Sequence, residues 1–148
     1  MEIALLNKIV RKAGIKNVTS LKRISSGRNN LVFEINGRYI LRLNTAFDSD
    51  FFKESEVSMQ LKGVNVPKLI YRDFSKSISP HDIVITVKIE GKTLAEKWLD
   101  YDDYRKKESI RQLALGLEKI HNQKIGDFAF LFNKTAWTEK IHNYILDC

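Results

Sequence analysis

Cysteine is almost missing from this sequence, and so are several other signals that would narrow its function quickly. The one cysteine of the 148-residue chain is Cys148, so a disulfide framework or a cysteine-based metal site within one chain is excluded. No run of about 18 apolar residues occurs, which excludes a helical membrane span. The first residues, MEIALLNKIVRK, carry an acid at position 2 and no basic n-region or cleavage site. That argues against a signal peptide and for the cytoplasm. The sequons at Asn17 and Asn133 therefore carry no glycosylation reading. There is no G-x-G-x-x-G, no Walker A pattern, no internal repeat and no low-complexity tract.

What is present reads as one folded unit. Hydrophobic residues make up 43% and charged residues 29%, a globular balance. The net charge of +7 would suit a polyanion such as a nucleic acid, an anionic membrane surface or nucleotide phosphates. The basic residues are scattered, however. The densest group, Arg105-Lys106-Lys107, sits beside Asp100, Asp102, Asp103 and Glu108 and reads as a solvated helix start. No helix-turn-helix, zinc or RNA-binding aromatic motif accompanies the charge, so neither nucleic acid nor membrane is expected as a partner.

Periodicity predicts the order of elements. Ile3, Leu6, Ile9, Val10 and Ala13 share a face of a helix over 2–13, which Gly14 can end. Strands are expected at 20–25, 31–36 and 38–44, the last two joined by an Asn36-Gly37 turn. A helix over 49–62 would start at Asp48 or Ser49 and stop at Gly63. Two more strands are expected at 68–74 and 83–89, with Pro80 in their turn. Thr93 and Glu96 form a capping box that opens a short helix. Over 103–123 Ile110, Leu113, Ala114, Leu117, Ile120 and His121 form one helical stripe. A last helix is expected at about 137–146. The fold class is α+β: a mostly antiparallel five-stranded sheet with a packed helix, then a helical segment. The boundary falls at Glu90-Gly91-Lys92, giving 1–90 and 91–148.

Three stretches can carry chemistry. The polar loop Ser25 to Asn30 contains Gly27, and successive amides at a bent loop can hold phosphate oxygens. Arg42 stands between Leu41 and Leu43 in a strand, and the next helix brings Glu54 and Glu56. A strand cation paired to a helix carboxylate below a polar loop is how kinase folds grip nucleotide phosphates. The alternative is an edge arginine with two glutamates facing solvent, and from the residues alone the two weigh equally. The third stretch, Ile83 to Gly91, is an apolar strand running into a glycine. Such a strand-to-hinge segment offers a purine both apolar walls and backbone donors and acceptors.

In this order the features resemble the N-terminal part of the aminoglycoside phosphotransferase family, a small-molecule branch of the protein-kinase-like fold. Ser26-Gly27-Arg28-Asn29-Asn30-Leu31-Val32-Phe33 resembles its glycine loop and following strand. Tyr39-Ile40-Leu41-Arg42-Leu43 resembles its cation-bearing strand, and Phe52-Lys53-Glu54 through Leu61 its helix. Val64 to Lys68 resembles its "vPkv" turn, Ile89 to Leu94 the segment after its hinge, and Ile110 to Asn122 its "la..La.LH" helix. None of these motifs is specific alone; six in order over residues 21–122 are.

The resemblance implies that the complete protein is an ATP-dependent phosphotransferase acting on an acceptor hydroxyl. The backbone of Ser26, Gly27, Arg28 and Asn30 would cover the phosphates. Arg42 would touch the α and β phosphates and pair with Glu54. Thr86 would back the adenine pocket, Ile24 and Val32 would cover the ring, and the Val87 carbonyl and Ile89 N–H would bond its edge. ATP and GTP both remain open, as does the acceptor. The family's His-Gly-Asp catalytic loop and its later magnesium-binding Asp are absent. His121 with Gly126-Asp127 has the wrong spacing to replace them, and His121 is expected to end the long helix with its side chain on the interior stripe. Magnesium ligands are thus expected outside this sequence, and the chain alone is expected to be inactive. Phe128, Phe130, Leu131, Phe132 and Trp137 are candidates for apolar surface that a partner or a second copy would cover. A non-catalytic kinase-like module binding nucleotide or protein would have the same sequence features.

Overall fold

The computed structural model describes residues 3–26, 29–46 and 50–123. Ten elements follow one another: α1 (Ile3–Lys12), β1 (Leu21–Ser26), β2 (Asn30–Ile35), β3 (Tyr39–Asn44), α2 (Phe51–Gln60), β4 (Leu69–Asp73), β5 (Asp82–Val87), α3 (Leu94–Lys97), a 3-10 turn (Trp98–Asp100) and α4 (Asp103–His121). The five strands make one sheet in the order β1-β2-β3-β5-β4, antiparallel at every pairing. The last two strands fold back so that β5 lies against β3 and β4 takes the edge. β3 is therefore the middle strand.

Alternation along β3 and β5 divides the sheet into two faces. Leu41, Leu43, Ile83 and Ile85 point to one face and are fully buried with Phe33 and Ile35 from β2. α1 covers this face through Leu6, Ile9 and Val10, which recur at helical spacing. Ile3, expected on the same stripe, lies one turn too far out and is exposed. Gly14 ends the helix with φ +75°, and the Ile15 N–H reaches back to the Val10 carbonyl at 3.2 Å.

The second face carries Arg42, Val84 and Thr86, and α2 lies over it with Phe51 and Ser55 buried. The start of α2 falls at Asp50 rather than Asp48 or Ser49. Its end comes before Gly63, because Leu61 turns extended (φ −67°, ψ 123°). The helix runs 51–60, shorter at both ends than the pattern over 49–62.

The hairpin turn forms where Asn36 and Gly37 both take positive φ, 52° and 65°. Ile35 pairs with Tyr39, so the connection is three residues and β2 stops one residue earlier than expected. Asn36 does more than turn the chain. Its Oδ1 accepts from the Thr19 and Ser20 amides at 2.8 and 3.1 Å, and its Nδ2 donates to the Asn17 carbonyl at 3.0 Å. The hairpin tip thereby holds the connection from α1 to β1.

The helical segment opens as its capping residues dictate. Thr93 Oγ1 accepts from the Glu96 amide and Glu96 Oε2 from the Thr93 amide, a reciprocal box. Asp102 Oδ1 caps α4 at the Arg105 amide at 2.7 Å. Gln123, just past α4, donates from Nε2 to the Lys62 carbonyl at 2.8 Å and accepts the Lys62 amide at 3.3 Å, tying α4 to the loop after α2. Ile110, Leu113 and Leu117 keep their helical spacing but are about half exposed, and His121 is exposed at the helix end rather than interior. The expected helix at 137–146 and the aromatic residues from Phe128 to Trp137 lie outside the described residues.

At the end of β4 one carboxylate gathers three elements. Asp73 accepts from Ser75 N–H and Oγ at 2.9 and 2.6 Å, from Tyr71 Oη at 3.1 Å and from Lys12 Nζ of α1 at 3.4 Å. The Ser75 bonds above all hold its pKa down at about 2, from 3.8. Burial, with the Asp73 charge beside it, pushes Tyr71 up to about 12. A carboxyl whose folded pKa is depressed adds stability above its unfolded pKa and loses it as pH falls through the folded value. The chain should thus lose about 1–2 kcal/mol between pH 4 and pH 2 from this group. Urea midpoints across that range measure the loss, and Asp73→Asn should flatten it; an unchanged slope in the variant would contradict the assignment.

Candidate functional site: a strand arginine held by a helix carboxylate

Lateral pairing in the sheet lines up two rows on the α2 face. Val32, Arg42, Val84 and Arg72 form one, and Lys22, Glu34, Ile40, Thr86 and Leu69 the other. Paired residues of an antiparallel sheet stand on the same side. Val32, Arg42 and Thr86, three residues expected in a nucleotide site, therefore do share a surface. Ile40 joins them between Glu34 and Thr86. It is not among the residues expected there, although its place two residues before Arg42 on the same strand is enough to put it on that face.

Arg42 sits on the middle strand, so it is not an edge arginine. Its guanidinium makes a two-point contact with Glu54, Nη1 to Oε2 at 3.2 Å and Nη2 to Oε1. The guanidinium also lies 4.8 Å from the centre of the Phe51 ring. The arginine side chain is 26% exposed and Glu54 47%. A fork geometry of this kind fixes the arginine head far better than a single contact would. About a quarter of the side chain remains open to solvent, and a phosphate-binding group needs some access. Glu56 does not simply face solvent either; it pairs with Arg72 on β4.

A cleft of about 30 Å³ is lined by both residues of this pair together with Phe51, Ser55, Ser58, Pro67, Leu69, Val84 and Thr86. That volume admits water and no purine base. A nucleotide would have to lie on the open side of the row, against Val32, Ile40 and Thr86. Thr86 itself is 9% exposed and lines the cleft.

The ends of the row differ in definition. Ile24 is the bulged residue of β1, between the Arg23 and Ser25 pairings, and is about half exposed. Asn30, the first residue of β2, has its side-chain Oδ1 buried without a hydrogen-bond partner among the described residues. This unpartnered oxygen is an acceptor that only a donor group could satisfy. Gly27 and Arg28 lie outside the described residues, as do the side chains of Ser25 and Ser26, whose backbone closes β1. At the other end β5 stops at Val87, so Ile89 lies beyond the strand and is half exposed. The Val87 and Lys88 amides are taken by the Lys68 and Arg38 carbonyls, each at 2.8 Å. Ile89 is the next amide along. Lys88 Nζ reaches Glu34 Oε2 at 2.9 Å, and that bond holds the ammonium above the ordinary lysine pKa.

Chemically, Arg42 could meet a phosphate, and Val32, Ile40 and the end of β5 could meet a base. Among the described residues no three His, Cys, Asp or Glu side chains come together in a way that could hold a metal ion. No helix among them is long and apolar enough to cross a membrane.

Comparison with known proteins bears on the fold. No family model matches the chain, and no curated protein matches it. Solved structures do. The ternary complex of streptomycin, ATP and the aminoglycoside phosphotransferase APH(2'')-IIa superposes with a TM-score of 0.69 at 16% identity, covering 99% of this chain and 50% of that one. ADP-bound APH(2'')-Ib gives 0.63 at 14% identity, covering 85% and 42%. The GDP complex of aminoglycoside 2'-phosphotransferase-IIIa gives 0.61 at 20% identity, covering 81% and 40%. At these identities the likeness defines the fold. The chain has the kinase-like N-terminal architecture of aminoglycoside phosphotransferases and spans half or less of the length of these structures.

The pair at the centre of the site has a measurable strength. In a double-mutant cycle with Arg42→Ala and Glu54→Ala, the coupling should be about 1 kcal/mol, the upper range for a pair with one partner half exposed. Urea denaturation of the four proteins measures it; additive losses would mean that the two side chains do not act together.

Proposed function

We propose that this chain is the nucleotide-binding part of a small-molecule phosphotransferase that moves a phosphoryl group from ATP or GTP to an acceptor hydroxyl. One observation carries the reading: the middle strand of a kinase-like sheet presents Arg42, held in a two-point contact by Glu54, beside the half-buried Val32 and Ile40. Positioning and charge neutralisation are most of what a protein contributes to phosphoryl transfer. An arginine fixed in place before the ligand arrives adds little ordering cost when phosphate binds. Arg42 would contact the α and β phosphates, the backbone from Ser26 through Gly27 and Arg28 to Asn30 would cover them, and Ile24, Val32 and Ile40 would lie on the base. Thr86 would close the back of the base pocket, with the Val87 carbonyl and Ile89 N–H bonding its edge.

The reading extends to what the chain does not do. Its sequence holds no His-Gly-Asp loop, so we place the magnesium ligands and the acceptor site in sequence that these 148 residues do not contain. The chain by itself binds nucleotide and does not turn it over. Residues 1–90 would form the N-terminal lobe and 91–148 the hinge and first helices of a second. The cytoplasm is the compartment that fits, since ATP and GTP are supplied there. The acceptor class follows the structural neighbours, which are named for aminoglycosides, only as far as a small molecule that carries hydroxyls.

A second reading has its own observation. Ile110, Leu113 and Leu117 leave a half-exposed apolar stripe on α4, which favours a protein-binding or self-associating module. Titration of ATP or GTP with magnesium, followed by calorimetry, separates the two. We expect a Kd below about 1 mM, weakened at least tenfold in Arg42→Ala, or about 1.4 kcal/mol. We also expect no acid-stable phosphate transfer to kanamycin or streptomycin. No nucleotide binding by the folded chain would remove the first reading and leave the binding module.

A further inference from the structure

Glu54 is one of two carboxylates with which α2 meets the sheet. The second, Glu56, has a partner of its own. Arg72 on β4 donates from Nη1 to Ser55 Oγ at 3.0 Å and to Glu56 Oε1. The Glu56 carboxylate is better covered than that of Glu54, 21% exposed against 47%, while Arg72 is 32% exposed. Ser55 is buried, and its Oγ also donates to the Phe52 carbonyl at 2.8 Å, so Arg72 reaches into the seam between helix and sheet. The same strand end adds an apolar contact: the Arg72 guanidinium lies 5.9 Å from the Phe74 ring centre, and Phe74 meets Phe52 of α2 edge-on at 5.7 Å.

The geometry of the two pairs is complementary. Arg42 and Arg72 are both partners of Val84 in the register and so flank it on the same face. They stand two strand spacings apart, about 10 Å. Glu54 and Glu56 are two helix positions apart, about 200° around the axis. They leave opposite flanks of α2, and each flank meets its own arginine. One ion pair lets a helix rock about the contact. Two on opposite flanks do not, because any roll that closes one opens the other.

We propose that Arg72 is a positioning residue for the phosphate grip: by holding Ser55 and Glu56 it fixes the roll of α2 at which Glu54 takes Arg42. Its consequence for ligand affinity rests on the nucleotide reading; its effect on the Arg42–Glu54 contact does not. Sequence alone gives no hint of Arg72, since a lone arginine in an edge strand has no distinguishing neighbour.

The test reads the two effects separately on the full chain. The first readout is the side-chain N–H signals of Arg42 in the free protein, assigned by their loss in Arg42→Lys. In the parent chain they should be shifted and slow to exchange because Glu54 accepts from them. Arg72→Gln should return them to the values of a free guanidinium while the signals of α1 and the buried core stay in place. The swap Arg72→Glu with Glu56→Arg should restore them. The second readout is ATP affinity, which should fall roughly tenfold in Arg72→Gln and recover in the swap. Unchanged Arg42 signals in a folded Arg72→Gln chain would overturn the proposal. If that variant does not fold, the swap decides: Arg42 signals like the parent's support the proposal, and free ones overturn it. Should the parent chain bind no ATP, the nucleotide reading fails, while the Arg42 signals still support or overturn the role of Arg72 by the same comparison.

Discussion

The contact between Arg42 and Glu54 joins the two elements that frame the proposed phosphate site, the middle strand and the helix laid across it. Neither residue has reason to be where it is without the other. A guanidinium on the inner part of a sheet is costly unless paired, and a carboxylate on a helix gains little from facing a sheet without a cation on it. The pair is bidentate, rests on the Phe51 ring and keeps a quarter of the arginine side chain open. Under the proposed function, those three properties leave the guanidinium fixed in place and still accessible to a phosphate.

The rest of the described structure serves to hold that contact. α1 seals the opposite face with Leu6, Ile9 and Val10, so that Leu41 and Leu43 lock β3 from behind and leave Arg42 no alternative side. Asn36 and Gly37 set the register between β2 and β3, and a slip by one residue would turn Arg42 into the core. Arg72 and Phe74 bring β4 onto the far flank of α2. The α2 face adds charge and aromatic contacts to apolar burial, while the α1 face is mostly apolar apart from Lys12 on Asp73.

Much of this could be read from the residues, for physical reasons that differ by element. The hairpin was legible because only Asn and Gly tolerate two successive positive φ values cheaply. Arg42 with Glu54 was legible because a cation between two leucines in a strand is unusual. The bounds of α2 were not, since Leu61 is a good helix former and turned extended only in its tertiary setting. Nor was the pairing of Glu56 with Arg72, which depends on β4 returning to the sheet edge beside β5. His121 was misplaced because helical periodicity gives the stripe and not its cover. The stripe of α4 kept its period, yet among the described residues it meets no core.

The most direct test of the nucleotide site is an amide map of the labelled chain during titration with an ATP analogue that cannot be hydrolysed. The expected shifts concentrate at Ile24 to Phe33, at Arg42 with Glu54, and from Thr86 to Gly91, with little change along α1. Shifts confined to the basic start of α4, or spread evenly over surface lysines and arginines, would contradict a nucleotide site built on Arg42.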